Sequence, residues 1–286
     1  MEAVLRLYNY LNVETADPRT THLFLIGSPI PGICILVFYN YFVNHLGPRL
    51  MEDRKPFKLD RFMIYYNIVQ IAASLYLFIE ACKVWLYEYS WTCEPVDYTP
   101  SEANNHKIFL VYFYFWVKLI DLTDTIIFVL RKKFSSISFL HVYHHTGMVM
   151  LSWSGVKWFP GGHDTWLGWL NSIVHVVMYG YYLLCVLRPE YKTSIWWKKH
   201  LTQMQMIQFL LNSIHSFQIL FYPDCTHPKW TVYVIAPQNL FMFWLFYRFY
   251  QQAYCTDTET KKKVKWGKEF TTGGYLGNYC FGISVD

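Results

Sequence analysis

The sequence predicts an all-α polytopic membrane protein with seven transmembrane helices. Three observations lead there. Hydrophobic residues make up 53% of the 286 positions and charged residues 16%, well under the roughly 25% charge of soluble domains. Apolar stretches long enough to cross about 30 Å of hydrocarbon recur seven times between short polar connections. The basic residues, finally, gather in alternate connections, as they do when a chain threads a bilayer repeatedly.

The stretches run from Pro29 to Leu46, Phe62 to Tyr87, Ile108 to Leu130, Ile137 to Val156, Trp166 to Leu187, Leu201 to Tyr222 and Thr231 to Tyr254. The fourth and sixth are diluted by His, Gln and Ser, which marks them as the spans facing a protein interior. No internal repeat, low-complexity tract or second domain is visible. The chain therefore divides into an N-terminal segment (1–28), a seven-helix domain (29–254) and a basic tail (255–286). The N-terminus lacks the basic, apolar and small-residue succession of a removable signal, so the first span does the targeting.

Orientation follows from charge. The connections after spans one, three and five, with the tail, carry 17 Lys and Arg; the opposite side carries 5. Seven spans then put the N-terminus outside the cytosol and the C-terminus inside it. The net charge of +5 reads as topology, and without a basic face interleaved with aromatics it does not point to nucleic acid. Cys93 and Cys225 both fall in non-cytosolic loops, where an oxidising compartment permits a disulfide, although spacing alone does not say whether they meet.

The chemistry concentrates in the fourth span. His141, His144 and His145 stand at i, i+3 and i+4 in SFLHVYHHT and share one helical face. His175 lies in the fifth span. The short connection between these spans predicts antiparallel neighbours, with His144 and His175 at similar depth. Lys118, Asp121 and Asp124 form an inward stripe in the third span, and Gln205, Gln208 and Asn212 another in the sixth, with His215 further along. One such group alone is most simply an interhelical hydrogen-bonding residue, the reading taken for His215. Four histidines and two carboxylates together mark a site.

Three chemistries could use it. A di-iron oxygenase also carries HxxHH, but needs further histidine pairs that the sequence does not show. A zinc hydrolase needs three ligands and an open position. The metal-free alternative is acyl transfer, with histidine as nucleophile or base oriented by a carboxylate. A seven-helix receptor is the non-enzymatic alternative. The third span ends FVLRKKFSS without a DRY-like triplet, and the seventh, FMFWLFYRFYQQAY, has no NPxxY.

Five motifs in order carry a resemblance: RKPF from Arg54, KLIDLTDT from Lys118, HVYHH from His141, NSIVHVVMYGYY from Asn171 and TQMQMIQ from Thr202. Residues 54–254 resemble the fatty acid elongases of the endoplasmic reticulum, most closely members acting on saturated and monounsaturated chains. Asp121 stands where that family usually has Glu, and the C-terminal GISVD lacks the dilysine signal many members carry.

The resemblance implies a seven-helix fold enclosing an acyl channel in the endoplasmic reticulum membrane. It implies decarboxylative Claisen condensation of a long-chain acyl-CoA with malonyl-CoA, giving 3-oxoacyl-CoA, carbon dioxide and CoA. No cofactor or metal is implied; partners would be membrane lipid, the other enzymes of the elongation cycle and at most a second copy of the chain. His144 would be the acyl acceptor and His175 its partner. His141 and His145 would orient it, Asp121 and Asp124 would set tautomers and charge, and Asn171 would hold an oxyanion. Lys118, Tyr179, Tyr182, Gln205, Gln208, Lys132, Lys199 and Arg248 are the expected substrate-binding residues.

Overall fold

Ser28 opens the first long helix. Its hydroxyl accepts from the Ile30 amide at 3.3 Å, and Pro29 supplies a first turn that needs no N–H donor. The computed structural model describes residues 2–255 and the paired dipeptides Tyr279–Cys280 (β1) and Ile283–Ser284 (β2). The basic cluster 261–268 lies outside the described residues.

A short helix α1 (Glu2–Asn9) precedes α2 (Pro29–Tyr41), which continues through a π-helical turn into α3 (Gly47–Met51). Six further long helices follow: α4 (Asp60–Tyr87), α5 (Glu102–Leu130), α6 (Phe139–Trp158), α7 (Thr165–Leu187), α8 (Ile195–Gln218) and α9 (Val232–Tyr250). Three of these helical segments, Pro29–Met51, Asp60–Tyr87 and Thr165–Leu187, are long and apolar enough to cross a membrane. Apart from the β1–β2 pair, the described residues are helix, turn and loop.

Polarity is turned inside out relative to a soluble bundle. On α4, Tyr65, Ile68 and Val69 are exposed, whereas Asn67, Gln70 and Ser74 are buried. In hydrocarbon an apolar outer face costs nothing, and polar side chains must find partners inside.

The bundle is built from antiparallel pairs. Helix α4 packs on α7, bridged from Gln70–Tyr179 at one end to Trp169–Cys82 further along. Helix α5 packs on α6, and α8 on α9, where Asn212 donates to Asn239 at 3.3 Å. Helix α2 and the π-helical turn after it lie against α5 and α6 through Leu36, Tyr39 and Val43. At the start of α3 Gly47 is required, since a Cβ there would come within 2.6 Å of Val129 and 2.9 Å of the Phe42 carbonyl.

One expectation is corrected. Consecutive helices α6 and α7 are not packed neighbours, because a cavity lies between them; each packs instead on an earlier helix. Their connection turns through Gly161 and Gly162. Gly162 has φ +72°, and a Cβ there would press on the Glu94 carbonyl at 2.9 Å. Cys93 and Cys225 do meet, in a disulfide with Cα atoms 5.7 Å apart that ties the α4–α5 loop to the α8–α9 loop.

Candidate active site

Helix α5 supplies the charged centre. Lys118 and Asp121, one turn apart, form an ion pair of 2.9 Å with both side chains almost fully buried. Burial of a lone charge is prohibitive, so the pair must be completed from neighbouring helices. From α7, His175 places both ring nitrogens 3.4 Å from the Lys118 ammonium, and its Nδ1 lies 3.7 Å from Asp121 Oδ2. Tyr179, one turn beyond His175, directs its hydroxyl at Asp121 Oδ1 (3.1 Å) and Asp124 Oδ2 (2.8 Å). From α4, Gln70 donates to Asp121 Oδ1, and its amide nitrogen is 3.2 Å from the hydroxyls of Tyr66 and Tyr179.

The histidine face stands beside this centre. The Ser138 hydroxyl caps α6 by accepting from the His141 amide at 3.2 Å, so the three histidines occupy the first two turns. His141 Nε2 is 2.9 Å from Thr125 Oγ1, which in turn contacts the Tyr39 hydroxyl at 2.7 Å. The rings of His141 and His145 lie 4.3 Å apart, and those of His144 and His145 5.6 Å. Among the described residues no three His, Cys, Asp or Glu side chains converge as a bound metal ion requires.

Asn171 joins from α7, its Oδ1 accepting from the Tyr114 hydroxyl at 3.0 Å. The Tyr114 ring faces the Lys118 ammonium at 5.0 Å and also lines an apolar cavity of about 300 Å³. That cavity runs between α4, α5, α6 and α7, past Leu77, Leu110, Ser152 and Trp169. The arrangement combines imidazole nitrogens, the Lys118 ammonium and carboxylates beside a largely apolar cavity.

Residues 24–263 match the ELO family, described as GNS1/SUR4. The chain belongs to this family. It is 44% identical over 252 residues to a very long chain fatty acid elongase 7 of Drosophila melanogaster, covering 87% of this chain and 77% of the relative. Identity is 43% over 258 residues to elongase 7 of Rattus norvegicus (89% and 92% covered) and 42% over 256 residues to elongase 1 of Homo sapiens (89% and 91% covered).

In this ELO-family chain the expected site residues beyond the α6 histidines fall into three sets. Lys118, Asp121, Asp124, Asn171, His175 and Tyr179 form one connected cluster, with Tyr182 edge-on to Tyr179 at 5.8 Å. Gln205 reaches the Met178 sulfur at 3.7 Å, its carbonyl oxygen has no partner among the described residues, and Gln208 is buried on the same helix. The basic residues stand apart. Lys132 donates to the Glu52 carbonyl at 2.8 Å, Lys199 lies over Tyr250 at 5.9 Å and Arg248 over Trp244 at 5.6 Å.

Gln70, Tyr66 and Tyr114 complete the cluster and are absent from the residues singled out by sequence. A signal existed for Gln70: Asn67, Gln70 and Ser74 fall at i, i+3 and i+7 in an apolar helix, the same kind of stripe as Lys118, Asp121 and Asp124.

Proposed function

We propose that this ELO-family chain is the condensing enzyme of fatty acid elongation, joining a long-chain acyl-CoA to malonyl-CoA. The observation that carries the reading is the buried cluster of His175, Lys118 and Asp121 beside the HxxHH face, with Tyr114 standing between Lys118 and an apolar cavity. Condensation needs a base or nucleophile, a countercharge for an enolate and a dry place for an alkyl chain, and all three groups are present.

In the proposed course an imidazole nitrogen of His144 attacks the thioester carbonyl. The C–S bond breaks, and CoA leaves as the thiol with the imidazole proton. Malonyl-CoA then loses carbon dioxide, and the bonding pair remains as an enolate. The enolate carbon attacks the acyl-imidazole, the C–N bond breaks, and the imidazolate takes a proton ultimately drawn from water. Lys118 and Asn171 would stabilise enolate and carbonyl oxygen charge. Gln70 and Tyr179 hold Asp121, which orients His175. Exclusion of water keeps the acyl-imidazole for the second thioester.

The same reading has all seven long helices spanning the endoplasmic reticulum membrane, with the N-terminus lumenal and the C-terminus cytosolic. The disulfide end would then be lumenal, in keeping with an oxidising compartment. The acyl tail would lie in the inner cavity.

Intact mass spectrometry tests the mechanism. The purified chain is incubated with a long-chain acyl-CoA alone, beside His144→Ala. The expected result is an acyl adduct with CoA released, absent from the variant and cleared by malonyl-CoA. Product formation without any adduct would overturn the covalent course and leave histidine as a base in a ternary complex.

A further inference from the structure

His144 does not line the inner cavity. It lines a second and larger one, of about 1020 Å³, between α2, α6 and α9. The two cavities share a wall: Met148, Leu151 and Ser154 of α6 and Val234 and Ile235 of α9 face both. Across this seam Tyr143 on α6 donates to Gln238 Oε1 on α9 at 2.7 Å, with its ring edge-on to Phe241 at 5.5 Å. Pro237 immediately precedes Gln238 inside α9, so the bond its amide would give to the Tyr233 carbonyl is missing and the helix is weakened beside the latch.

The outer cavity is more polar towards the His144 end of α6, with Ser154 further along that helix. Asn40, whose amide is 3.1 Å from Thr146 Oγ1, gathers there with Tyr143, His144 and Gln238. Away from them the walls are Ile33, Leu36, Met150 and Trp153. Ile33 and Met150 are exposed, on faces that meet hydrocarbon if these helices span a membrane. Such a gradient suits an amphiphile with one polar group at the end of a long alkyl chain. The volume is at the upper end of the roughly 300–1,000 Å³ of small-molecule sites, as a long chain requires.

We propose that the α2–α6–α9 cleft is a second acyl-chain site, a lateral port in which the tail of a long-chain acyl thioester lies while its carbonyl is presented to His144. The proposal rests on the condensing-enzyme reading. Tyr143 and Gln238 tie α6 to α9 on the cleft side of the shared wall.

Photolabelling decides it. The full-length chain in phosphatidylcholine nanodiscs is irradiated with a long-chain acyl-CoA bearing a diazirine at the end of its chain. Ile33 and Leu36 line only the cleft; Leu77 and Leu110 line only the inner cavity. Label on Ile33 and Leu36 that excess unlabelled acyl-CoA removes is the expected result. Label there that excess does not remove reports lipid-like partition, and label confined to Leu77 and Leu110 reports an interior route; either overturns the port.

A variant gives an independent measure. Gly32 lines the cleft with open space where a Cβ would stand, so Gly32→Phe fills it without touching the cluster. The expected change is a several-fold rise in KM for acyl-CoA with KM for malonyl-CoA unaltered; an unaltered KM for both would overturn the port. Formation of 3-oxoacyl-CoA in the unmodified chain is scored separately. Its absence would sink the condensing reading, whichever residues carry label.

Discussion

Lys118 Nζ lies 2.9 Å from Asp121 Oδ2, one helical turn away on α5, and the two side chains are only 2% and 3% exposed. Neither charge is tolerable there without the other. Removing one partner of such a pair costs about 3–5 kcal/mol, whereas replacing both by apolar groups is often neutral. Lys118→Met and Asp121→Leu are each expected to lower the melting temperature in detergent strongly. The double variant should regain most of that loss yet remain inactive in condensation. A double variant as unstable as the singles would show that the ion pair is not what the fold depends on.

Gln70 holds Asp121 from a different helix. A hydrogen bond to a charged group contributes about 1.5–3 kcal/mol, so Gln70→Leu is expected to lower kcat by roughly 10- to 150-fold. KM for both thioesters should stay unchanged, because the residue orients the carboxylate and does not line the cavities. Steady-state kinetics with each substrate varied in turn would check this, and a loss confined to KM would contradict it.

The Cys93–Cys225 bond closes a loop across 132 positions and joins two loops at one end of the bundle. Constraining an unfolded chain over so long a loop is worth about 4–5 kcal/mol in the entropic account, and losing a native disulfide costs about 2–5. Cys93→Ser, Cys225→Ser and the double variant should be destabilised equally, as read by thermal unfolding. Reductant should lower the parent at least as far as these substitutions do.

His163, in the loop before α7, donates from Nε2 to the His215 carbonyl at 3.0 Å and stacks on the His215 ring at 4.0 Å. Burial pushes His163 below its ordinary value of 6.5. The unfolded chain therefore gains a proton near pH 6.5 that the folded chain still refuses. Stability is fully present above that pH and falls as pH drops, by at most about 1.4 kcal/mol per unit from this group. Melting temperature should decline from pH 7.5 to 5.5, with a flatter slope in His163→Gln. Parallel slopes would remove His163 from the account.

Metal chelation offers a fifth check. If imidazole acts as nucleophile or base, prolonged dialysis against a strong chelator should leave condensation at its initial rate. Loss of activity restored by added iron or zinc would move the histidine face to metal chemistry.

Seven long helices lie where seven apolar stretches were read, because hydropathy over some twenty residues is a local property. The inward stripe of α5 was legible for the same reason: Lys118, Asp121 and Asp124 are spaced for one helical face. Gln70 was missed although its stripe is equally regular, since a neutral amide among apolar residues stands out less than a charge. Tyr66 and Tyr114 carried no signal at all, because a tyrosine in a membrane helix is most often a packing or interface residue.

By itself the sequence determined which segments are helical, which face of each is polar and which residues resemble a known family. Only the tertiary structure decided which faces meet. That Cys93 reaches Cys225, that α7 pairs with α4 across a cavity from α6, and that His144 opens towards α2 and α9 all depend on side chains far apart in the chain. Periodicity fixes the direction of a side chain about its own helix axis. The partner it meets is set by how whole helices pack, and no window of sequence contains both.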